Sequence, residues 1–153
     1  MLTMKAKYAL RALARFVEAG PDEQLLSADI AEREAIPRKF LEAILRDLRH
    51  HGLLESRPGR GGGYRLRRGA EASSIASIVR LIDGPLAPVA CLNGPNGRRC
   101  EDCPGERLCG IRLVFTEAHE ATLKVLENTT LADLASRMHG SAPAKENASR
   151  YAI

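Results

Sequence analysis

Residues 36–68, IPRKFLEAILRDLRHHGLLESRPGRGGGYRLRR, decide how the rest of the chain is read. Phe40, Leu41, Ile44, Leu45 and Leu48 recur at spacings of three and four, which gathers them on one face of a helix. Arg38, Lys39, Glu42, Arg46 and Arg49 fall on the other side. Pro37 suits the first turn, where a missing N–H is no loss, and Gly52 is expected to stop the helix. Leu54 to Arg57 and Tyr64 to Arg67 have the length of two short strands. Pro58, Gly59 and Gly61 to Gly63 lie between them, and glycines permit the positive φ of a chain reversal.

Charge sharpens this reading. Nine Lys/Arg stand against three acids in the stretch, a net +6, whereas the whole 153-residue chain carries +4. A solvated basic face on an ordinary small domain explains the charge, but not its coincidence with a helix and a glycine hairpin. A winged helix-turn-helix uses both: its helix enters the major groove, and its wing lies along the phosphates or in the minor groove. Double-stranded DNA is then the expected partner. Ser27, Arg38, Lys39, Glu42, Arg46, Arg57, Arg60, Gly61, Gly62, Tyr64 and Arg65 are the candidate contacts.

The segments before this stretch complete the motif. Residues 3–19 read as a first helix with Ala6, Ala9, Leu10, Leu13, Phe16 and Val17 inward and Thr3 as a cap. Lys5, Lys7 and Arg11 are either phosphate contacts or simply solvated. Gly20-Pro21 opens a loop, and Ser27 reads as the N-cap of a short helix over 28–35 with Ile30 and Ala31 inward. Short helix, tight turn and second helix make the helix-turn-helix.

After the hairpin, Ser73 or Ser74 can cap a helix that runs to Asp83, where Gly84-Pro85 breaks it. Residues 84–110, dense in Gly and Pro, hold all four cysteines as Cys91-x8-Cys100-x2-Cys103-x5-Cys109. Apolar periodicity then resumes through Ile111, Val114, Phe115, Ala118, Thr122, Val125 and Leu126, a stripe expected to be a dimer seam rather than private core. Thr130 can cap a last helix, Leu131 to Met138. The expected organisation is a winged domain over 1–83, a cysteine loop over 84–110, dimerisation helices over 111–139 and a flexible tail over 140–153, most of it disordered. The fold class is mainly α, with a two-stranded wing.

The composition, 44% apolar and 27% charged, is that of a soluble globular protein. No apolar run approaches a membrane span and nothing resembles a secretory signal, so the cytoplasm is the default compartment and no membrane partner is expected. A reducing cytoplasm disfavours disulfides. Three readings of the cysteines stay open: an iron–sulfur cluster, a structural zinc, and a metal-free loop or thiol switch. Arg98, Arg99 and Arg107 are expected to lower thiol pKa values and to offset an anionic cluster. Cys100-Glu-Asp-Cys103 lacks the βαβ context of a thiol oxidoreductase, and His50, His51, His119 and His139 show no catalytic or ligand spacing. Neither an enzyme nor a small-molecule substrate is expected.

The opening MLTMKAKYALRAL, the helix and wing FLEAILRDLRHHGLLESRPGRGGGYRL, the SIASIVRLIDG helix, the cysteine loop and VLENTTLADL together resemble the IscR/NsrR/RirA-type regulators, the Rrf-two family. The resemblance covers residues 1 to about 139. It implies a homodimer with a long crossing helix per subunit, reading an operator of two half-sites. It also implies a 2Fe-2S or 4Fe-4S cluster held by three cysteines and one further ligand, whose state changes DNA affinity in response to iron, redox status or nitric oxide. Cys103 and Cys109 match the family pair, Cys91 matches the first cysteine, and Cys100 is extra and the candidate fourth ligand. Arg112 stands where one subset has a histidine, and Lys7 and Tyr8 stand near where another has an acid.

Overall fold

Helix α1 (Met4–Ala19) starts where the Thr3 hydroxyl accepts the Ala6 N–H, and it ends at Gly20, whose φ is +91°. Its alanine- and leucine-rich face, with Ala6, Ala9, Ala12, Leu13 and Phe16 fully buried, forms the floor of the core. The small side chains let neighbouring helices approach closely. Helix α3 (Arg38–His50) packs on this floor with Leu41, Ile44, Leu45 and Leu48, and helix α2 (Ser27–Arg33) packs against α3. The computed structural model describes residues 2–138 apart from positions 58, 60, 61, 104 and 106.

Strands β1 (Leu54–Ser56) and β2 (Tyr64–Leu66) pair antiparallel, with Leu54 opposite Leu66 and Ser56 opposite Tyr64. Leu54 and Leu66 turn into the core and so weld the wing to α3. Leu25 joins β2 through two hydrogen bonds with Tyr64, at 2.8 and 3.0 Å, which adds a third extended segment to the hairpin. Helix α4 (Ile75–Asp83) is capped by Ser74, whose hydroxyl accepts the Ser77 N–H. Two short 3-10 turns (Ala90–Leu92 and Gly94–Asn96) lie in the cysteine loop, and α5 (Gly110–Glu127) follows it.

The last helix, α6 (Leu131–Met138), packs against α1 with Leu131 and Ala135 buried. Its start is fixed by a reciprocal box. Thr130 Oγ1 accepts the Asp133 N–H, and Asp133 Oδ2 accepts the Thr130 N–H. The Thr130 backbone and hydroxyl hold the Asp133 carboxyl below its ordinary range. The sequence reading grouped α6 with the dimerisation helix, whereas its buried face belongs to the core under the winged domain.

Several expectations need correction. Ser27 is the first residue of α2 and not its cap; Leu26 occupies the cap position and its side chain makes no cap hydrogen bond. Helix α2 also stops at Arg33, because Ala35 adopts φ +49° in the turn to α3. Pro37 caps α3 from outside the helix, and the strands are a residue shorter than expected. Phe40 is 39% exposed, because it sits at the rim of the α3 apolar face and stacks edge-on against Tyr8 rather than entering the core. Of the described wing glycines, Gly62 and Gly63 are needed for close backbone approach rather than for positive φ. Gly59 has positive φ, but a Cβ on Gly62 would lie 2.1 Å from the Arg57 carbonyl and one on Gly63 2.6 Å from the Leu25 carbonyl. Arg60, Gly61, His139 and the tail 140–153 lie outside the described residues.

Candidate functional site

The N-terminal end of α3 stands exposed beside the wing. Ser27, Arg38, Arg57, Gly62 and Tyr64 line one cleft of about 340 Å³, together with Leu26, Ala28, Ser56, Gly59 and Gly63. The start of α2, the start of α3 and the base of the wing therefore meet at one place. Ser56 is a lining residue that the sequence reading missed; only its position at the end of β1 marks it. Arg38, Glu42 and Arg46 follow one another at i, i+4 and i+8 along α3, with Lys39 beside them. This is the geometry in which a helix offers its first turns to base edges. Arg65 lies on the other side of the wing, in a second cleft with Gln24, Glu55 and Arg57.

Many of the cations here are paired with acids of the same chain. Arg38 Nε donates to Glu42 Oε1 at 2.9 Å, and Arg65 donates through Nε and Nη2 to Glu55 Oε2 at 3.0 and 2.7 Å. Arg68 pairs with Asp22 and Lys5 with Asp47. Arg49 Nη1 donates to the Ser56 hydroxyl at 3.1 Å, which ties α3 to the wing. Of the three cations that α1 offered for phosphate, Lys5 and Arg11 are engaged in ion pairs, and Lys7 is exposed with no such pair among the described residues.

Arg11 and Arg15 converge on Glu34, a carboxylate that the sequence reading passed over. Glu34 is 3% exposed and sits in the turn between α2 and α3. Arg11 donates from Nε to Oε2 at 2.8 Å and from Nη2 to the Glu34 carbonyl, and Arg15 Nε donates to Oε1. Burial pushes the Glu34 carboxyl up, but the hydrogen bonds from Arg15 and Arg11 outweigh it and hold the group below its ordinary range. The helix-turn-helix is thus clamped to α1.

Helix α5 has no buried residue. Ile111 is 67% exposed and Val114 65% exposed, and Leu113, Phe115 and Val125 are exposed with them. Ala118 and Thr122 are exposed as well. Leu126 departs from the expected seam: it is half-buried and packs on the chain's own core. An exposed apolar stripe of this length is unusual on a monomer.

The four cysteines are free thiols; Cys100 is exposed, and Cys91, Cys103 and Cys109 are half-buried. Their donor chemistry suits an iron–sulfur cluster or zinc. Among the described residues, no three His, Cys, Asp or Glu side chains converge on one point as a metal would require. The loop nevertheless brings the thiols within electrostatic reach of one another. Desolvation first, and then the charges of Cys91, Asp102, Cys103 and Cys109, push the Cys100 thiol up. This corrects the expectation that neighbouring arginines lower it. The two ends of the cysteine pattern meet at Arg112: Cys109 Sγ accepts the Arg112 N–H at 3.5 Å and caps α5, and Arg112 Nη1 donates to the Cys91 carbonyl at 2.7 Å.

Comparison with known proteins agrees with this architecture. The family model Rrf2, described as an iron-dependent transcriptional regulator, matches residues 2–137. An rrf2-like HTH-type transcriptional regulator of Rhodobacter capsulatus is 43% identical over 137 residues, covering 88% of this chain and 91% of its own. The HTH-type transcriptional regulator IscR of Yersinia pseudotuberculosis is 32% identical over 133 residues, covering 87% and 77%. The solved structure of CymR, the global cysteine regulator of B. subtilis, superposes with a TM-score of 0.73 at 27% identity, covering 89% and 96%. No helix among the described residues is long and apolar enough to cross a membrane.

Proposed function

The chain belongs to the Rrf2 family of transcriptional regulators, and from that premise we propose that it is a cytoplasmic, homodimeric DNA-binding sensor whose cysteine loop carries an iron–sulfur cluster. Its relatives are named as transcriptional regulators, in keeping with a role that is not enzymatic. The observation that carries the DNA reading is the shared cleft of Ser27, Arg38, Arg57, Gly62 and Tyr64, which puts a basic recognition helix and a glycine-built wing on one face. Two such faces, presented by a dimer, suit an operator of two half-sites. The apolar stripe of α5 supplies a seam for that dimer.

The cysteines supply the sensing arm. Cys91, Cys103 and Cys109 are the proposed ligands, and Cys100 is the proposed fourth. A bound cluster supplies a redox-active, oxygen- and nitric-oxide-reactive centre. The protein's part is to hold the thiols in a loop that runs straight into α5, with Cys109 as the helix cap. Any change in the loop is then felt at the start of the dimer helix, and a change there alters how the two winged faces are presented. Regulation requires only that one presentation fits the half-site spacing better than the other.

A second reading keeps the regulator and drops the cluster in favour of a thiol switch or a structural zinc. The thiol switch is favoured by the arrangement of the thiols, no three of which converge among the described residues as either metal centre would require. Purification without oxygen, followed by iron, sulfide and zinc counting and absorbance spectra, separates the two. A brown protein with iron and sulfide supports the cluster, and a colourless protein supports the alternative. Cys103→Ala is expected to abolish the absorbance, while Cys100→Ala is expected to leave a labile or spectrally altered cluster.

A further inference from the structure

We propose that Arg112 is the positioning residue that closes the cysteine loop, holding its first and last cysteines together before any metal arrives. The inference rests on the cluster reading for its purpose but not for its geometry. Cys91 and Cys109 are far apart in sequence, and Gly and Pro between them leave the loop little core of its own. Arg112 reaches both. Its backbone N–H meets Cys109 Sγ, and its guanidinium meets the Cys91 carbonyl at 2.7 Å from within the first turn of α5. The Cys91 side of the contact is itself braced. A Cβ on Gly97 would lie 3.1 Å from the Cys91 carbonyl, and the Arg98 N–H donates to the Ala90 carbonyl at 3.2 Å.

An arginine suits this role for two reasons. Its fork of donors can hold a carbonyl while the helix supplies a separate backbone donor to the sulfur. Its permanent charge also lies beside a site that becomes anionic when thiolates bind iron, and net charge and hydrogen bonds to sulfur set the stability and potential of such centres. The residue at this position therefore works without being a ligand: it holds Cys91 near the helix that Cys109 caps.

The test has two arms. In the first, the full chain carries Cys100→Ser and Cys103→Ser, so that Cys91 and Cys109 are its remaining thiols, and it is kept metal-free and reduced. The bifunctional thiol reagent dibromobimane is added, and the rate of the bridging step is read from fluorescence. Arg112→Met, which keeps the apolar stem, is expected to slow bridging about fivefold while leaving the first alkylation unchanged. Arg112→Lys is expected to restore part of the rate. A bridging rate in Arg112→Met equal to that of the parent would overturn the proposal. Should that variant lose its helical circular dichroism, Arg112→Gln, too short to reach the carbonyl, is judged by the same comparison. In the second arm, the four-cysteine protein is reconstituted with iron and sulfide. Arg112→Met is expected to shorten the lifetime of the absorbance in air, and an unchanged lifetime would also count against the proposal. Failure of the unsubstituted protein to take up iron would remove the cluster reading and leave the loop closure to the first arm.

Discussion

Arg11 of α1 donates to Glu34 in the turn between α2 and α3, through Nε to the carboxylate at 2.8 Å and through Nη2 to the carbonyl. One side chain thus satisfies both a buried charge and a buried backbone acceptor. The contact lies where Ala35 takes φ +49°, the only positive φ outside glycine among the described residues. Arg15 completes the clamp on the other carboxylate oxygen.

Glu34→Ala is therefore expected to cost roughly 2–3 kcal/mol in chemical denaturation, near the range for hydrogen bonds to charged groups. The arginines left behind stay partly solvated, which keeps the cost from being larger. The pH dependence follows from the lowered carboxyl pKa. The stabilisation is complete above the ordinary glutamate range and is lost as pH falls and the folded carboxyl protonates. The wild type should lose this increment on acidification and Glu34→Ala should not. Coincident stability profiles for the two proteins would show that the clamp contributes nothing, and parallel but offset ones that ionisation of Glu34 does not.

Gly63→Ala tests the wing. The added Cβ would meet the Leu25 carbonyl at 2.6 Å, so the Leu25–Tyr64 pairing must open. Expected outcomes are faster amide exchange at Leu25 and Tyr64 and weaker DNA binding, with the helical core unchanged. Exchange rates equal to wild type would mean that the wing tolerates the methyl group.

Base reading and phosphate binding should separate. Glu42 can accept from a cytosine amino group, and Arg57 lies in the cleft beneath the wing. Glu42→Ala is expected to change the preferred sequence in a selection from random duplexes. Arg57→Ala is expected to weaken binding to all sequences and to make the salt dependence shallower by about one unit of slope. Glu55→Gln releases Arg65 from its internal acid and should steepen the slope instead. Equal effects of Glu42→Ala and Arg57→Ala on every duplex would refute this division.

Val114→Asp is the clean test of the dimer, because Val114 is 65% exposed and lies outside the buried core of the chain. It should shift sedimentation toward the monomer without changing the melting of the winged domain. Leu126→Asp should instead destabilise the fold, since Leu126 packs on the core. A wild-type monomer at micromolar concentration would remove the seam.

What the sequence disclosed was mostly local. Thr3, Ser74 and Thr130 act as the caps that their positions suggested, because a cap bonds an N–H only three residues away. The two periodic faces of α1 and α3 were legible for the same reason. The Glu34 clamp was not, since its partners lie 19 and 23 residues away and nothing in the local pattern joins them. Periodicity also could not say which neighbour covers an apolar side chain, so Phe40 was assigned to the core and Leu126 to the seam. The cysteine spacing named candidate donors but not Arg112, whose role depends on how the loop returns to α5.

The central claim is that the state of the cysteine loop sets DNA affinity. It is tested by measuring the Kd of one anaerobic preparation for its selected operator, at fixed salt, before and after the cluster is stripped. The account predicts a difference of about tenfold or more that disappears in Cys103→Ala. Equal affinities of a demonstrably loaded and a stripped protein would contradict it.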